Sequence, residues 1–128
     1  MVVAFPLVLI VDDNVTNRKL ARDVLRAAQF RTLEAGTAVD AIALASEHLP
    51  NVILMDLRLP DLDGTEATRR LKAEPRTAGI PVVALTALRL DAPETWFSEA
   101  GFAGYVVKPF DADALPDVVR GFSRTDEA

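Results

Sequence analysis

Asn51-Val52-Ile53-Leu54-Met55-Asp56-Leu57-Arg58-Leu59-Pro60-Asp61-Leu62-Asp63-Gly64 is the stretch on which the fold turns. Val52–Met55 is apolar at odd and even positions alike, so a strand there is buried on both faces. Such a strand belongs in the middle of a parallel sheet. It delivers Asp56 to the carboxyl end, where open α/β sheets place their ligands. Alone, that carboxylate reads equally well as a solvated or helix-capping Asp. Pro60, Asp61 and Asp63 mark a short loop, and Gly64 follows it.

The rest of the chain repeats this design. Leu7–Val11 is a second doubly apolar run and ends in Asp12-Asp13. Asn14 is a good N-cap for a helix in which Leu20, Val24, Leu25 and Ala28 recur at helical spacing. Phe30–Ala35 is a mixed strand suited to a sheet edge. Gly36 turns the chain, and Thr37 with Asp40 resembles a capping box. Ala38, Ala41, Ile42, Ala45 and Leu49 form the stripe of a second helix, stopped by Pro50. Thr65–Ala73 is a third helix, with Ala67 and Leu71 inward, a Glu66–Arg70 pair at i,i+4, and Glu74-Pro75 at its end.

Pro81–Thr86 is the fourth strand. Asp91 with Glu94 opens a short helix carrying Trp96, Phe97 and Ala100, which Gly101 closes; it is expected to be the least rigid. Gly104–Val107 is the fifth strand, followed by Lys108-Pro109. The last helix carries Leu115, Val118, Val119 and Phe122. A start at Asp113 places Pro116 in its first turn, where proline is tolerated. Ser123–Ala128 is expected to fray. Strands alternating with helices throughout imply an α/β fold, a doubly wound five-stranded parallel sheet with right-handed crossovers.

Composition narrows the function. The 128 residues suit one domain, 1–128, with a core over about 6–122. No run approaches the ~20 apolar residues of a membrane span. Met1–Val11 is apolar but has no basic leader, so no signal peptide is expected. The absence of cysteine rules out thiolate chemistry and favours a cytoplasmic setting. A net charge of −5 argues against direct nucleic-acid binding. With one histidine and no cysteine, zinc has almost no ligands. A metal here is a hard cation on oxygen, such as Mg²⁺.

In a parallel sheet the strand ends share one edge. Asp12, Asp13, Asp56, Thr86 and Lys108 therefore converge there. Each alone has a plain structural role: helix entry for the acidic pair, a strand-end turn for Thr86, a surface lysine for Lys108, packing for Tyr105. Together they describe a site. Two carboxylates ~4 Å apart repel by about 4 kcal/mol at an effective dielectric of 20. Mg²⁺ relieves that repulsion and often holds phosphate as well. Lysine supplies a point charge and threonine a donor for a phosphoryl group. An aspartate, already anionic at pH 7, attacks phosphorus without a general base.

The pattern Asp12-Asp13, Asp56, Thr86, Lys108-Pro109, with Tyr105 three residues before the lysine, resembles the receiver domain of two-component response regulators over residues 6–122. The resemblance implies a flavodoxin-like fold with strand order 2-1-3-4-5. It implies Asp56 as phosphoacceptor, Mg²⁺ or Mn²⁺ as cofactor with Asp13 as a direct ligand, Asp12 nearby or through water, and the carbonyl of Arg58 as a further ligand. Lys108 and Thr86 would contact the phosphoryl group, with a cis Lys108-Pro109 bond. Thr86 and Tyr105 would form the switch. Val11-Asp12-Asp13-Asn14-Val15-Thr16-Asn17-Arg18 is similar to receivers of hybrid kinases and of stand-alone phosphorelay proteins.

The chain stops soon after the fifth helix, with no basic recognition helix. The expected output is therefore a protein contact on the face of the fourth helix, fifth strand and fifth helix, or onward transfer to a histidine. The implied partners are a histidine kinase and a histidine phosphotransferase. Arg58 and Leu88, two residues after Asp56 and Thr86, would flank the mouth and slow the hydrolytic water. Two alternatives carry different signs. An aspartyl-phosphate phosphatase resembles Asp-x-Asp after the first strand, whereas Asp12 and Asp13 are adjacent. A binding module that is never phosphorylated would lack Asp56, Asp13 or Lys108, and all are present.

Overall fold

The computed structural model describes residues 5–87, 94–108 and 110–123. Strands and helices alternate: β1 (Leu7–Val11), α1 (Val15–Ala27), β2 (Arg31–Ala35), α2 (Ala38–His48), β3 (Val52–Asp56), α3 (Gly64–Ala73), β4 (Val82–Thr86), α4 (Glu94–Glu99), β5 (Gly104–Val107) and α5 (Leu115–Phe122). The sheet is parallel, in the order β2-β1-β3-β4-β5. Every residue of β3 and β4 is buried, as their unbroken apolar runs require. The edge strands β2 and β5 are only half-buried over most of their length.

Two apolar layers cover the sheet. Leu9, Val11, Ile53, Met55 and Ala84 point to one face, against Ala41, Ala45, Ala67, Leu71 and Phe97 of α2, α3 and α4. Val8, Ile10, Leu54, Val83 and Leu85 point to the other, against Ala21, Leu25, Leu115 and Val119 of α1 and α5. Odd and even residues of one strand thus serve opposite cores.

Helix ends follow their local chemistry. Asn14 accepts from the Asn17 N–H, Thr37 from Asp40 and Asp63 from Thr65. The α2 helix ends on Leu49 in the left-handed region (φ 50°), and Pro50 prevents its continuation. Glu66 pairs with Arg70 at 3.2 Å and also with Arg69.

Some expectations shift. Leu20 is 46% exposed; Ala21 takes the core-facing place one residue on, four before Leu25. The α5 helix starts at Leu115 rather than Asp113. Pro116 is then its second residue, where no intrahelical N–H bond is lost. The Ser123 N–H and Oγ both donate to the Val119 carbonyl at 2.9 Å at the end of α5. Asp91, Leu88, Pro109 and the tail beyond Ser123 lie outside the described residues.

Gly64 has a packing reason. A Cβ there would lie 2.3 Å from the Asp56 carbonyl oxygen and 2.8 Å from Leu57 Cα, both main-chain atoms. Gly64→Ala is therefore expected to displace the loop after β3 and cost about 1–3 kcal/mol, the usual penalty of overpacking. Urea unfolding measures this; a wild-type midpoint would contradict the close approach.

Candidate functional site

Strand register fixes what meets at the carboxyl edge. Val11 pairs with Met55, Asp56 with Leu85, and Thr86 with Val107. Asp12 and Lys108 are each the next residue along β1 and β5. All five sequence-identified residues Asp12, Asp13, Asp56, Thr86 and Lys108 line one cavity of about 330 Å³, together with Asn14, Asn17 and Arg58. Tyr105 does not. Its ring stacks on Phe97 of α4, with centroids 4.5 Å apart, and borders a separate cavity of about 470 Å³ between α4, β5 and α5.

Within the cavity the lysine is shared. Lys108 Nζ lies 2.9 Å from Asp12 Oδ2 and 3.0 Å from Asp56 Oδ2, with its side chain only 16% exposed. Asp56 Oδ1 accepts from the Arg58 N–H at 3.0 Å, and Asp12 Oδ1 from the Asn14 N–H at 2.9 Å. Burial is the largest influence on Asp56 and pushes its carboxyl above the ordinary range, helped by Asp12; the Arg58 amide and Lys108 pull the other way. Burial alone would lower the Lys108 ammonium. The two carboxylates outweigh it and raise the ammonium above its usual value.

Charge remains out of balance. Asp12, Asp13 and Asp56 bring carboxylate oxygens within 4.8 Å of one another, against one ammonium. Asp12 Oδ2 is buried and receives no well-aligned hydrogen bond, only the ion pair. Oxygen ligands at ~2.1 Å from Mg²⁺ lie up to about 4.2 Å apart across an octahedron. The observed spread needs only small side-chain movement to match. Two uncompensated negative charges and an all-oxygen donor set therefore fit a hard divalent cation.

Sequence reasoning left two supports unassigned. Arg18 bonds the Asp12 carbonyl through Nη1 at 2.7 Å and Glu34 Oε1 through Nε at 3.2 Å. Asp61 spans from the loop after β3 to α2, where its two oxygens accept from the Ala38 and Val39 N–H groups, each at 2.9 Å. These bonds hold the Asp61 carboxyl below its usual range. Both contacts join segments distant in sequence, so no local pattern announces them. Arg58 is exposed and contributes to the cavity lining.

The model of the response regulator receiver domain matches residues 8–120. The chain belongs to the response regulator receiver family. It is 35% identical over 115 residues to the polar-differentiation response regulator DivK of Brucella ovis, covering 90% of this chain and 94% of that protein. Its fold is similar to the Vibrio cholerae chemotaxis protein CheY4, with a TM-score of 0.85 at 26% identity over 93% of this chain and 99% of that one. It is also similar to the receiver domain of the sensor histidine kinase PA1611 of Pseudomonas aeruginosa, with a TM-score of 0.84 at 32% identity over 93% and 98%. That structure has a magnesium ion coordinated in its active site cleft. The chain is thus a receiver domain of two-component signalling, with the strand order that resemblance implied. Receiver domains as a class interact with histidine kinases and phosphotransfer proteins. Among the described residues no helix is long and apolar enough to cross a membrane.

The raised Asp56 carboxyl has a stability consequence. Stability tied to a group with a raised folded-state pKa is present in acid and lost as pH rises through that value. Ionised Asp56 therefore opposes folding at pH 7. Without added metal, Asp56→Asn is expected to unfold at higher urea than wild type at pH 7. The advantage should vanish near pH 3, about a unit below the ordinary Asp value. A less stable variant at pH 7 would contradict the assigned charge strain.

Proposed function

We propose that Asp56 is the phosphoacceptor of this receiver. The observation that carries this is the single ammonium of Lys108 held between Asp12 and Asp56 inside the acidic cavity. A carboxylate oxygen of Asp56 attacks the phosphorus of a phosphohistidine. The P–N bond breaks, its electron pair stays with the imidazole, and the imidazole takes a proton from solvent. Lys108 neutralises one phosphoryl oxygen, and the Thr86 hydroxyl donates to another.

Mg²⁺, or Mn²⁺, would be held by Asp13 and Asp56 with the Arg58 carbonyl, and by Asp12 nearby or through water. When bound, it supplies charge neutralisation for the phosphoryl oxygens. This chain's own residues then do the positioning. The buried Asp12 anchors Lys108, and the Arg58 N–H fixes one Asp56 oxygen so that the other faces the donor.

The phosphoryl group carries about −1.5 to −2 charges beside Thr86, about −0.5 to −1 more than the carboxylate it replaces. Thr86 moves toward them and Tyr105 turns inward, which loosens its stack on Phe97 and alters the α4-β5-α5 face. Complete switching takes about 5.5 kcal/mol of differential stabilisation. The proposed partners are a histidine kinase and a histidine phosphotransferase on the donor side, and a downstream protein on the α4-β5-α5 face. We assign the protein to the cytoplasm, acting as one receiver unit with no direct nucleic-acid contact. It is an acceptor rather than a turnover enzyme, with slow loss of its own phosphoryl group, further hindered by Arg58 at the mouth. A cis Lys108-Pro109 bond belongs to the same proposal.

Incubation with Mg²⁺ and acetyl phosphate is expected to add one phosphoryl group, read by mass spectrometry, and none in Asp56→Asn. Chelation should abolish the addition in wild type. Equal phosphorylation of Asp56→Asn would place the acceptor elsewhere.

A further inference from the structure

Building on the receiver function above, we propose that Asp61 is a positioning residue: by tying the loop after β3 to the first turn of α2, it holds the Arg58 edge of the cavity at the spacing a divalent cation needs.

Asp61 is exposed and contributes nothing to the cavity lining. Yet both its oxygens are committed, Oδ1 to the Ala38 N–H and Oδ2 to the Val39 N–H, each at 2.9 Å. Charge-assisted bonds to two consecutive amides at a helix N-terminus are strong and directional. The loop is closed at its base by the Gly64 N–H on the Leu57 carbonyl at 3.0 Å, and by the Arg58–Asp63 bridge. Asp61 ties its far side to a different element, 22 and 23 residues back in sequence.

The same stretch of chain braces the opposite wall. The Asp12 N–H donates to the Ala35 carbonyl at 3.1 Å. Arg18 joins Glu34 to the Asp12 carbonyl. Glu34, Ala35, Ala38 and Val39 give no side chain to the cavity, but the first two hold the Asp12–Asp13 loop and the last two the Arg58 loop. The spacing between those loops decides whether ligands from both reach one ion. Mg²⁺ demands near-ideal octahedral geometry, so slack there costs affinity.

The test is Mg²⁺ binding, measured by calorimetry with MgCl₂ alone, in four proteins. Asp61→Ala is expected to weaken binding by about tenfold, the scale seen when outer-shell supports of metal ligands are removed. Asp61→Asn, which keeps one acceptor oxygen, should fall between Asp61→Ala and wild type. Thr37→Ala is the control. Thr37 Oγ1 caps the same helix through the Asp40 N–H at 3.1 Å and does not touch the loop, so it should destabilise α2 and leave Mg²⁺ affinity unchanged.

Wild-type affinity in Asp61→Ala would overturn the brace while leaving the receiver function intact. So would an equal loss in Thr37→Ala, which would trace the effect to helix stability. An equal loss in Asp61→Asn and Asp61→Ala that disappears at 0.5 M salt, where screening acts over about 4 Å, would make it a charge effect and also overturn the brace. No Mg²⁺ uptake by wild type would remove the cation reading and the brace together.

Discussion

Lys108 Nζ stands 2.9 Å from Asp12 and 3.0 Å from Asp56, and the remaining chemistry follows from that shared contact. Three carboxylates face one ammonium; Asp12 and Asp56 are buried and Asp13 is exposed. Lys108 reduces their repulsion without cancelling it. The residual negative charge gives the site its preference for a divalent cation. Burial, with a smaller push from Asp12, raises the Asp56 carboxyl, so the fold carries a local cost at the residue it needs for transfer.

The sheet makes this concentration of charge possible. The runs in β1, β3 and β4 are apolar until each ends where it meets the cavity. Parallel pairing brings those ends to one edge, whereas antiparallel pairing would have scattered them. The loops that follow are then fixed by backbone and side-chain bonds rather than by burial. Asn14 caps α1 and Asp63 caps α3. Gly64 admits the Asp56 main chain at a distance no other residue allows.

Much of this was legible in the residues. Val52–Met55 announced a doubly buried central strand, and the acidic, hydroxylic and basic strand ends announced the site. The misses have physical causes. Leu20 looked like a core residue because leucine outranks alanine in any apolar pattern, but Ala21 faces the sheet and the helix packs close on its small side chain. Pro116 fixed a first turn without saying which residue began it, and the Asp111 turn before it delays the start to Leu115. Tyr105, expected as a switch residue rather than a ligand, stacks on Phe97 outside the cavity, where alternation along β5 places it. Arg18 and Asp61 bond across segments far apart in sequence, so their roles emerge only once the chain is folded.

The central claim is that a divalent cation binds among Asp12, Asp13 and Asp56. Titrating Mn²⁺ into the protein and following amide resonances tests it most directly, because paramagnetic broadening falls off steeply with distance from the ion. The account predicts early loss of the resonances of residues 12–14 and 56–58, reversed by excess Mg²⁺, with those of His48 and Arg120 intact. Broadening centred elsewhere, or none at all, would contradict it.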